Sequence, residues 1–570
     1  MKNLEIAGVF EHLADVIEIK GGEPFRVNAY RRAARVLGDL PEDVADIATE
    51  GRLTDIKGIG KGTARKIEEY LETGDVSAYR KEMRDVPEGL LELLGVPGLG
   101  PKTIGLLWKE LDVRSIKTLR REPRRGSIPS LPGMGEKKAA NIAAGVQAYL
   151  SRSGRSTLGS ILPPATALLE GVRALDAVLE ADLAGSVRRG RSTIGDIDIL
   201  ASSRRPGDVV SRFTKLADVE EVLASGGTKA SVRIAGSVQV DLRVVEPSSY
   251  GAALLYFTGS KDHNVHLRGL AQSRGARLNE YGLTKRDRTL ASRTEEAVYH
   301  KLGLDFIPPE LREDRGEVEA AAESRLPELI EESDIRGDLH LHTNWSDGLS
   351  SVEDMARAAK ARGYAYLAIT DHSRSLGVAN GLSVERLAEQ REEIESVRRR
   401  VRGIRILAGT EVDILSDGTI DFPDEELEKL DIVVASIHTG FTQSEDRITG
   451  RIVSACENPN VDIIAHPTGG LLESREPYAV DLERVMEAAA ETGTALEINS
   501  HPDRLDLSDV NARRAVAMGL TLAINTDSHH TDQLGSMGLG VVTARRGWVG
   551  PENVLNTLTT ARLMKRLGRS

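Results

Sequence analysis

Two aspartates one residue apart raise the first chemical question. In GSVRRGRSTIGDIDIL, Gly185 to Leu200, Asp196 and Asp198 alternate with Ile197 and Ile199. On a strand, that alternation puts both carboxylates on one face and both isoleucines on the other. Same-face neighbours stand about 7 Å apart at the backbone, close enough to share a cation and to repel each other without one. A second alternating run, SVQVDLRVV from Ser237, places Asp241 on its polar face. Three carboxylates on neighbouring strands form an oxygen-ligand site suited to Mg²⁺ or Mn²⁺. Two such ions about 4 Å apart can clamp an attacking hydroxyl and a triphosphate leaving group. The preceding Gly185-Ser186 turn, with Arg188 and Arg189, supplies N–H, hydroxyl and guanidinium donors for phosphates.

A second set of chemistry-bearing residues fills the last third of the chain. Seven apolar runs end in metal-ligating types: RGDLHLHT (His340, His342), YLAITDHS (Asp371, His372), IRILAGTEVDIL (Glu411), DIVVASIHTG (His438), VDIIAHPTG (His466), TALEINS (Glu497) and TLAINTDSHH (Asp527, His529). Eight of the twelve histidines lie beyond residue 339. A lone histidine after a strand is usually a satisfied core residue, but one repeated at five of seven strand ends is not explained that way. Mixed nitrogen and oxygen ligands suit Zn²⁺, Mn²⁺ or Fe²⁺ better than Mg²⁺, and so many of them imply two or three ions. Such clusters activate water and stabilise a phosphoryl transition state.

The elements that must position these groups follow from periodicity. Helical stretches such as VEDMARAAKARG and LERVMEAAAETG separate most of the histidine-bearing strands. Strand–helix alternation with seven strands predicts a barrel related to the (β/α)₈ type, whose strand ends converge on one mouth. Residues 164–245 mix helix and strand, 247–309 form a further mixed segment, and 1–150 read as helical. A Ser/Gly/Pro-containing stretch at 151–164 reads as a connector, and the acid-rich 310–334 as a solvated linker or linker helix.

The helical region contains a repeat. IKGIGKGTARKIEEYLETG from Ile56, VPGLGPKTIGLLWKELD from Val96 and LPGMGEKKAANIAAGVQAY from Leu131 share apolar-x-Gly-apolar-Gly, then small and basic residues, then a helix. The glycines permit a tight turn into a new helix, whose unpaired N–H groups suit a phosphate. Three copies point to DNA-backbone binding without base readout, through Gly58, Gly60, Gly98, Gly100, Lys102, Gly133, Gly135 and Lys137.

Bulk properties set limits. The 570 residues are too many for one core. Net charge is −12, yet residues 1–310 carry 46 Lys and Arg against 42 Asp and Glu, and residues 311–570 carry 29 against 45. The sign is set region by region, so the basic parts can meet phosphates. No run approaches a membrane span, no stretch resembles a signal peptide, and Cys456 is the only cysteine. A soluble, cytoplasmic, monomeric protein with no membrane partner and no internal disulfide is expected.

The motif GS-x-RRG followed by GDIDIL resembles the nucleotidyltransferase signature of family X DNA polymerases. YFTGSKDHNVHLR, Tyr256 to Arg268, resembles the nucleotide pocket of the repair polymerase beta group. The resemblance implies that Tyr256 and Phe257 lie by the sugar and that Asn264 meets the base edge. It implies that Arg268 faces the template and that Ser186 and Arg189 grip the triphosphate. Gly195, Gly259 and Lys261 complete the implied pocket. The sequence departs from vertebrate members at Lys261 and His263. FRVNAYRRAARVL from Phe25 resembles the start of the family's small lyase domain, whose Schiff-base lysine falls on Lys66; a second family lysine is Gly62 here. HLHTNWSDG, TDHS, GTEVDI, SIHTG, AHPTG and NTDSHH resemble the PHP (polymerase and histidinol phosphatase) domain. Its nine ligand positions fall on His340, His342, Asp347, His372, Glu411, His438, His466, Asp527 and His529; His501 and His530 are extra and expected to touch substrate or solvent.

Together these resemble the bacterial and archaeal family X DNA polymerases along nearly the whole chain. The implied fold is multidomain: all-α helix-hairpin-helix domains, an α+β nucleotidyltransferase palm and a C-terminal distorted (β/α)₇ PHP barrel. The implied segments are 1–80 (lyase-like), 81–155 (DNA-binding finger), 156–245 (palm), 246–312 (nucleotide pocket and thumb), 313–334 (linker) and 335–570 (PHP). The implied activity is filling of short gaps in base excision repair from gapped or primer-template DNA and dNTPs, with Mg²⁺ or Mn²⁺. A 3′–5′ exonuclease with two or three Mn²⁺ or Zn²⁺ ions is implied in the PHP domain, and 3′-phosphatase, abasic-site cleavage and dRP lyase activities are further candidates. Two other readings remain open on the residues: a nucleotidyltransferase acting on RNA or a small molecule, fused to a metabolite phosphoesterase, and a DNA-binding scaffold with inactive sites.

Overall fold

The computed structural model describes the chain except residues 1–2, 40–43, 57, 75, 85, 88, 97–98, 120–127, 129–130, 132–133, 136–137, 143–145, 147–154, 236–237, 287, 473–474, 476 and 569–570. The chain forms two compact units, residues 1–154 and 155–570.

The first unit is helical, with Asn3–Ile19, Pro24–Asp39, Lys61–Thr73 and Pro101–Leu111 its longest elements. The three glycine turns share one geometry. Ile59 N donates to Ile56 O, Leu99 N to Val96 O and Met134 N to Leu131 O, at 2.9–3.0 Å. In each copy the last glycine then opens a helix: Ala64 N reaches Gly60 O, Ile104 N reaches Gly100 O and Ala139 N reaches Gly135 O. The apolar residue between the glycines, Ile59, Leu99 or Met134, is buried and anchors the turn to a core. Gly58 sits at φ +111°, where a side chain is strained.

The second unit begins with a short strand, Ser156–Thr157, capping the helix Leu158–Arg173. This corrects the reading of 156–164 as connector; residues 151–154 of that stretch lie outside the described residues. The helix continues through Pro163 and Pro164 because Leu158, Ile161, Ala165, Leu168, Leu169 and Val172 bury one continuous face, and such packing overrides the local cost of proline. A five-stranded mixed sheet follows, in the spatial order Glu180–Leu183, Asp196–Ser202, Val238–Val245, Lys229–Ile234, Val219–Ser225. Asp196–Ser202 and Val238–Val245 are parallel, with Asp198 opposite Asp241. Helices Tyr250–Thr258 and Lys261–Ser273 and a three-stranded antiparallel sheet make the next layer.

The reading of 310–334 as a solvated linker or linker helix is corrected in its solvation: the segment holds a short helix, one face of which is buried. Glu317, Val318, Ala320 and Ala321 of helix Glu317–Ala322 are buried, as are Leu329 and Ile330. The acids are matched rather than hydrated. Glu313 meets Arg189 at 3.1 Å and Arg546 at 3.0 Å, and Glu317 meets His263 at 2.6 Å.

The last seven strands, Gly337–Asp338, Tyr366–Ile369, Arg405–Asp413, Ile432–Ser436, Ile463–Ile464, Ala495–Asn499 and Leu522–Asn525, are parallel and neighbour one another in sequence order. A parallel bridge from Leu341 to Ser528 brings the first and last together, so the sheet closes nearly into a barrel. Inward-facing Leu339, Tyr366, Ala368, Leu407, Ile432, Val434, Ile463, Ala495 and Ala523 fill the interior, and Leu555 and Leu563 pack with them. The ligand-type residues stand at the carboxyl ends of the strands, Glu411 and Glu497 within the strands themselves and the others in the loops that follow or, for His340 and His342, just beyond the first strand.

Candidate active sites

The palm sheet brings Asp196, Asp198 and Asp241 together, with one carboxylate oxygen of each within 4.8 Å of the others. The parallel pairing of their strands sets this geometry, and Gln239 Nε2 steadies Asp241 by donating to both its oxygens at 3.0 and 3.2 Å. Burial, then the charges of Asp196 and Asp241, push the Asp198 carboxyl up to about 7. Burial and Asp241 raise Asp196 as well. The three charges therefore lack sufficient compensation from protein groups, which is what an oxygen-ligand cation site requires. Gly185 has φ +58°, and a Cβ there would lie 2.0 Å from Asp198 Oδ2, so only glycine lets the phosphate-type turn approach the triad.

All nine expected nucleotide-pocket residues line one cavity of about 650 Å³ beside Asp196 and Asp198: Ser186, Arg189, Gly195, Tyr256, Phe257, Gly259, Lys261, Asn264 and Arg268. Tyr256 and Phe257 meet edge to face, 5.2 Å between centroids, and Arg243 lies 5.3 Å over Phe257. Asn264 Nδ2 donates to Tyr256 O at 2.7 Å, and Arg268 Nε to Asn264 O at 3.2 Å. Arg189, which lines the cavity, is oriented by Glu313 at Nε and by Thr258 O at Nη1.

Two residues behave differently from the sequence expectation. Arg188, read as a phosphate donor, is held by Glu295 at 2.7 and 2.9 Å and by Thr258 Oγ1 at 2.6 Å. Glu295 in turn meets the fully buried Arg312 at 2.5 Å. Burial opposes its charge, but Arg312 and Arg188 hold its carboxyl down to about 2. His263 faces away from the cavity, its ring between Glu317 and Tyr299 Oη at 2.6 and 2.9 Å.

The barrel mouth gathers the nine PHP-type positions. His342, Asp347, His372 and His529 form one group, His340, His342 and Asp527 a second, and His372, Glu411 and His438 a third, each within 4.8 Å. His466 joins through Glu411, 3.0 Å away. Glu411 is the hub: its Oε2 lies 2.8 Å from His372 Nδ1, 3.4 Å from His340 Nε2 and 3.5 Å from His342 Nε2, yet accepts a hydrogen bond from none of them. His340 Nε2 and His342 Nε2 face each other at 3.2 Å. Nitrogen and oxygen ligand atoms crowded this closely fit divalent cations. Burial and the charges of His372 and His529 push His342 down to about 3, which keeps the imidazole neutral. Burial opposes the ionised form of Glu411, but His372, His438 and His340 hold its carboxyl well below the usual range. His466 and Asp527 adopt positive φ, +29° and +54°, a strain tolerated where function fixes the backbone.

Supporting groups orient these ligands. His340 Nδ1 meets Glu497 at 2.8 Å and His438 Nδ1 meets Asp413 at 2.7 Å. Asp413 was missed from sequence, although it stands two residues after Glu411 on the same strand face. Asp371 and Glu497, read as strand-end ligand types, are supports. Asp371 accepts from Thr343, Ser346 and Gln390, and Glu497 from Asn499, Asn525 and the His466 N–H. His501 is half-buried near Asp527, and His530 caps the short helix Thr531–Ser536 instead of joining the cluster.

In the helical unit, Gly58, Gly60, Gly100, Lys102 and Gly135 stand at the three turns, while Gly98, Gly133 and Lys137 lie outside the described residues. The Lys102 side chain is 83% exposed, with Nζ 3.9 Å from Glu18 Oε1. Lys66 Nζ donates to Gly62 O at 3.0 Å and lies 5.7 Å over the Tyr30 ring.

Comparison with known proteins agrees with this geometry. A helix-hairpin-helix domain model matches residues 1–76, a SAM-like helix-hairpin-helix tandem 90–148, a DNA polymerase beta thumb 253–313 and a PHP domain 338–501. The chain is 41% identical over 562 residues to the DNA polymerase/3′-5′ exonuclease PolX of Bacillus subtilis (strain 168), covering 98% of this chain and 97% of that protein. Over 232 residues, 39% of this chain, it is 34% identical to a probable phosphatase of Thermoanaerobacter sp. (strain X514), covering 89% of the latter. A probable phosphatase of Syntrophotalea carbinolica is 30% identical over 234 residues. No described helix is long and apolar enough to cross a membrane. The chain belongs to the family X DNA polymerases with a C-terminal PHP domain, enzymes that pair a DNA polymerase with a 3′–5′ exonuclease.

Proposed function

We propose that the palm triad joins a primer 3′-hydroxyl to an incoming deoxynucleotide and that the barrel pocket hydrolyses the 3′-terminal phosphodiester. Together the two would trim and fill short gaps in base excision repair. The observation that carries this reading is the presence of two separate, complete ligand sets, one all-carboxylate and one rich in imidazole. Divalent cations supply charge neutralisation and an acidified nucleophile for phosphoryl transfer at both; Mg²⁺ or Mn²⁺ suits the carboxylates, and two or three Mn²⁺ or Zn²⁺ ions suit the histidines.

In the palm, Asp196, Asp198 and Asp241 hold the cations. Ser186, Arg189 and Lys261 take the triphosphate, and the Gly195 and Gly259 backbones let it come close. Tyr256 and Phe257 pack against the sugar, Asn264 reads the base edge, and Arg268 faces the template. The hydroxyl oxygen attacks the α-phosphorus and pyrophosphate leaves. The hairpin turns hold the DNA backbone through N–H groups and Lys102, and the division at residues 80, 155, 245, 312 and 334 assigns one such task to each segment. In the barrel, His340, His342, Asp347, His372, Glu411, His438, His466, Asp527 and His529 hold the hydrolytic ions. Lys66 is the candidate for a Schiff base with an abasic sugar. A monomer acting in the cytoplasm fits these tasks.

A 5′-labelled duplex with a one-nucleotide gap tests the reading. With dNTPs and Mg²⁺ or Mn²⁺ the labelled strand should lengthen by one; with Mn²⁺ and no dNTPs it should shorten from its 3′ end. Equal extension on blunt and gapped DNA would remove the gap-filling assignment.

A further inference from the structure

The polypeptide beside the histidine cluster holds a cavity of about 450 Å³ that the metal ligands do not use. That is a size that holds a small ligand. Arg504 and Arg475 both line it, with apolar Leu471, Leu472 and Pro477 opposite and the Asp506 carboxylate at its edge. Arg504 reaches the cluster: its Nε lies 3.5 Å from Asp527 Oδ2, while Asp527 Oδ1 faces His342 at 3.1 Å. Arg504 Nη1 is buried and has no hydrogen-bond partner among the described residues. Arg475 donates to Gly469 O at 3.0 Å and stacks 4.4 Å over Phe441, and among the described residues it has no carboxylate partner. Asp506 Oδ2 accepts from the Thr468 N–H, the Thr468 hydroxyl and the Gly469 N–H, and no ion pair joins Asp506 to either arginine among the described residues.

The loop that presents Arg504 is built rather than loose. Leu505 takes φ +51°, a conformation unfavourable for a bulky residue, and its side chain is 4% exposed within the hydrophobic core of the palm. Asp506 fixes the next residue to the turn after His466. Backbone strain held on both sides is a mark of a functional position. Arg504 spends Nε on Asp527 and keeps Nη1 unpartnered among the described residues, and two guanidiniums lining one cavity suit an oxyanion.

We propose that Arg475 and Arg504 seat a phosphate of the DNA strand being shortened, with the attached sugar or base against Leu471, Leu472 and Pro477. The seated group is a backbone phosphodiester next to the scissile bond. Arg504 also positions Asp527 from the side opposite the cations. This inference rests on the placement of the exonuclease in the histidine pocket.

The test measures 3′-end release from a labelled single strand by the full-length enzyme over a range of salt, for wild type, Arg475→Gln, Arg475→Lys and Arg504→Gln. Arg475→Gln should raise KM about tenfold and flatten the salt dependence by about one phosphate contact. Arg475→Lys should restore most of the salt slope, which a purely packing role would not. Arg504→Gln should raise KM and lower kcat together, with bound metal retained by atomic spectroscopy. Unchanged KM and salt slope in both glutamine variants overturn the seat. Inorganic phosphate and free deoxynucleoside monophosphate, added as inhibitors, separate the sources. If Arg475→Gln weakens their inhibition while the KM for DNA stays put, the cavity holds product and the backbone assignment is overturned. His342→Ala is the independent control: if it still shortens DNA, the placement of the exonuclease fails, whatever the arginine variants do.

Discussion

The two ligand clusters of residues 155–570 solve one electrostatic problem in opposite ways. The palm triad is three part-exposed carboxylates in which burial, and then the charges of Asp196 and Asp241, push Asp198 up to about 7, with few protein donors to offset them. The barrel cluster is mostly buried, with Asp347 and His529 part-exposed at its mouth, and two of its acids, Glu411 and Asp527, are held well below the usual range by surrounding imidazoles and, for Asp527, by Arg504. The first site is unfinished without substrate: a triphosphate can supply the remaining oxygens. The second is finished by the protein itself, down to the groups that fix each imidazole, such as Glu497 and Asp413. A site completed by its substrate can exchange cations each turnover, and a site completed by the fold should retain them.

The sharpest way to break that comparison is to remove one ligand from each site. Asp196→Ala should lower nucleotide addition at least about 10³-fold and leave 3′-end release within a few-fold, and His342→Ala should do the reverse. Primer extension and release of a 3′ label from the same preparations measure both. Loss of both activities from either folded variant would show that the sites are not independent.

Next in size is the buried pair that joins palm to thumb. Glu295 sits between Arg188 and Arg312 with its carboxyl held down to about 2 from an ordinary 4.5, which corresponds to about 3 kcal/mol of stability at neutral pH. Because the folded value is depressed, that contribution is complete above about pH 4.5 and disappears as pH falls toward about 2. Glu295→Gln should therefore lower the first thermal transition at pH 7, and the gap to wild type should narrow at pH 3–4. Extension should suffer and 3′-end release should not, since the barrel does not lean on this pair. A smaller effect is expected behind His438. Asp413→Asn should weaken metal retention about 10- to 100-fold, read by chelator competition, without touching the palm.

How much of this was legible in the sequence differs between the regions for a physical reason. Alternation on a strand is local, so Ile197 and Ile199 reveal the face that Asp196 and Asp198 share, and the parallel partner carrying Asp241 could be read from its own alternation. A ligand after every strand of a barrel is a repeated local signal, and the mouth that collects the ligands follows from the topology. Charge pairing across long separations leaves no such trace. Glu313 and Glu317 read as solvated acids because their partners, Arg189, Arg546 and His263, lie at distances along the chain that periodicity does not sample. The same limit hid the fate of Arg188, which a phosphate-type motif shares with a structural carboxylate. Helix Leu158–Arg173 was missed because two prolines obscured an apolar stripe that packing makes decisive.

The smallest predicted effect tests the unfinished character of the palm site most directly. A carboxyl whose folded value lies above its ordinary 3.8 favours the fold while protonated and opposes it once ionised. Metal-free protein should accordingly lose stability through Asp198 as pH rises from about 4 through about 7. Mg²⁺ reverses this, because it binds the ionised triad and not the protonated one, and a ligand of the folded state raises Tm by mass action. The Tm gain from saturating Mg²⁺ should be larger at pH 8 than at pH 6 by a few degrees. Asp198→Asn should abolish that difference while leaving the retained metals of the barrel in place. Differential scanning calorimetry at the two pH values, with and without Mg²⁺, measures it. An equal Mg²⁺ response at pH 6 and pH 8 in the wild type would mean that protein groups already compensate the triad, and the contrast between a substrate-completed site and a fold-completed one would fail at its palm end.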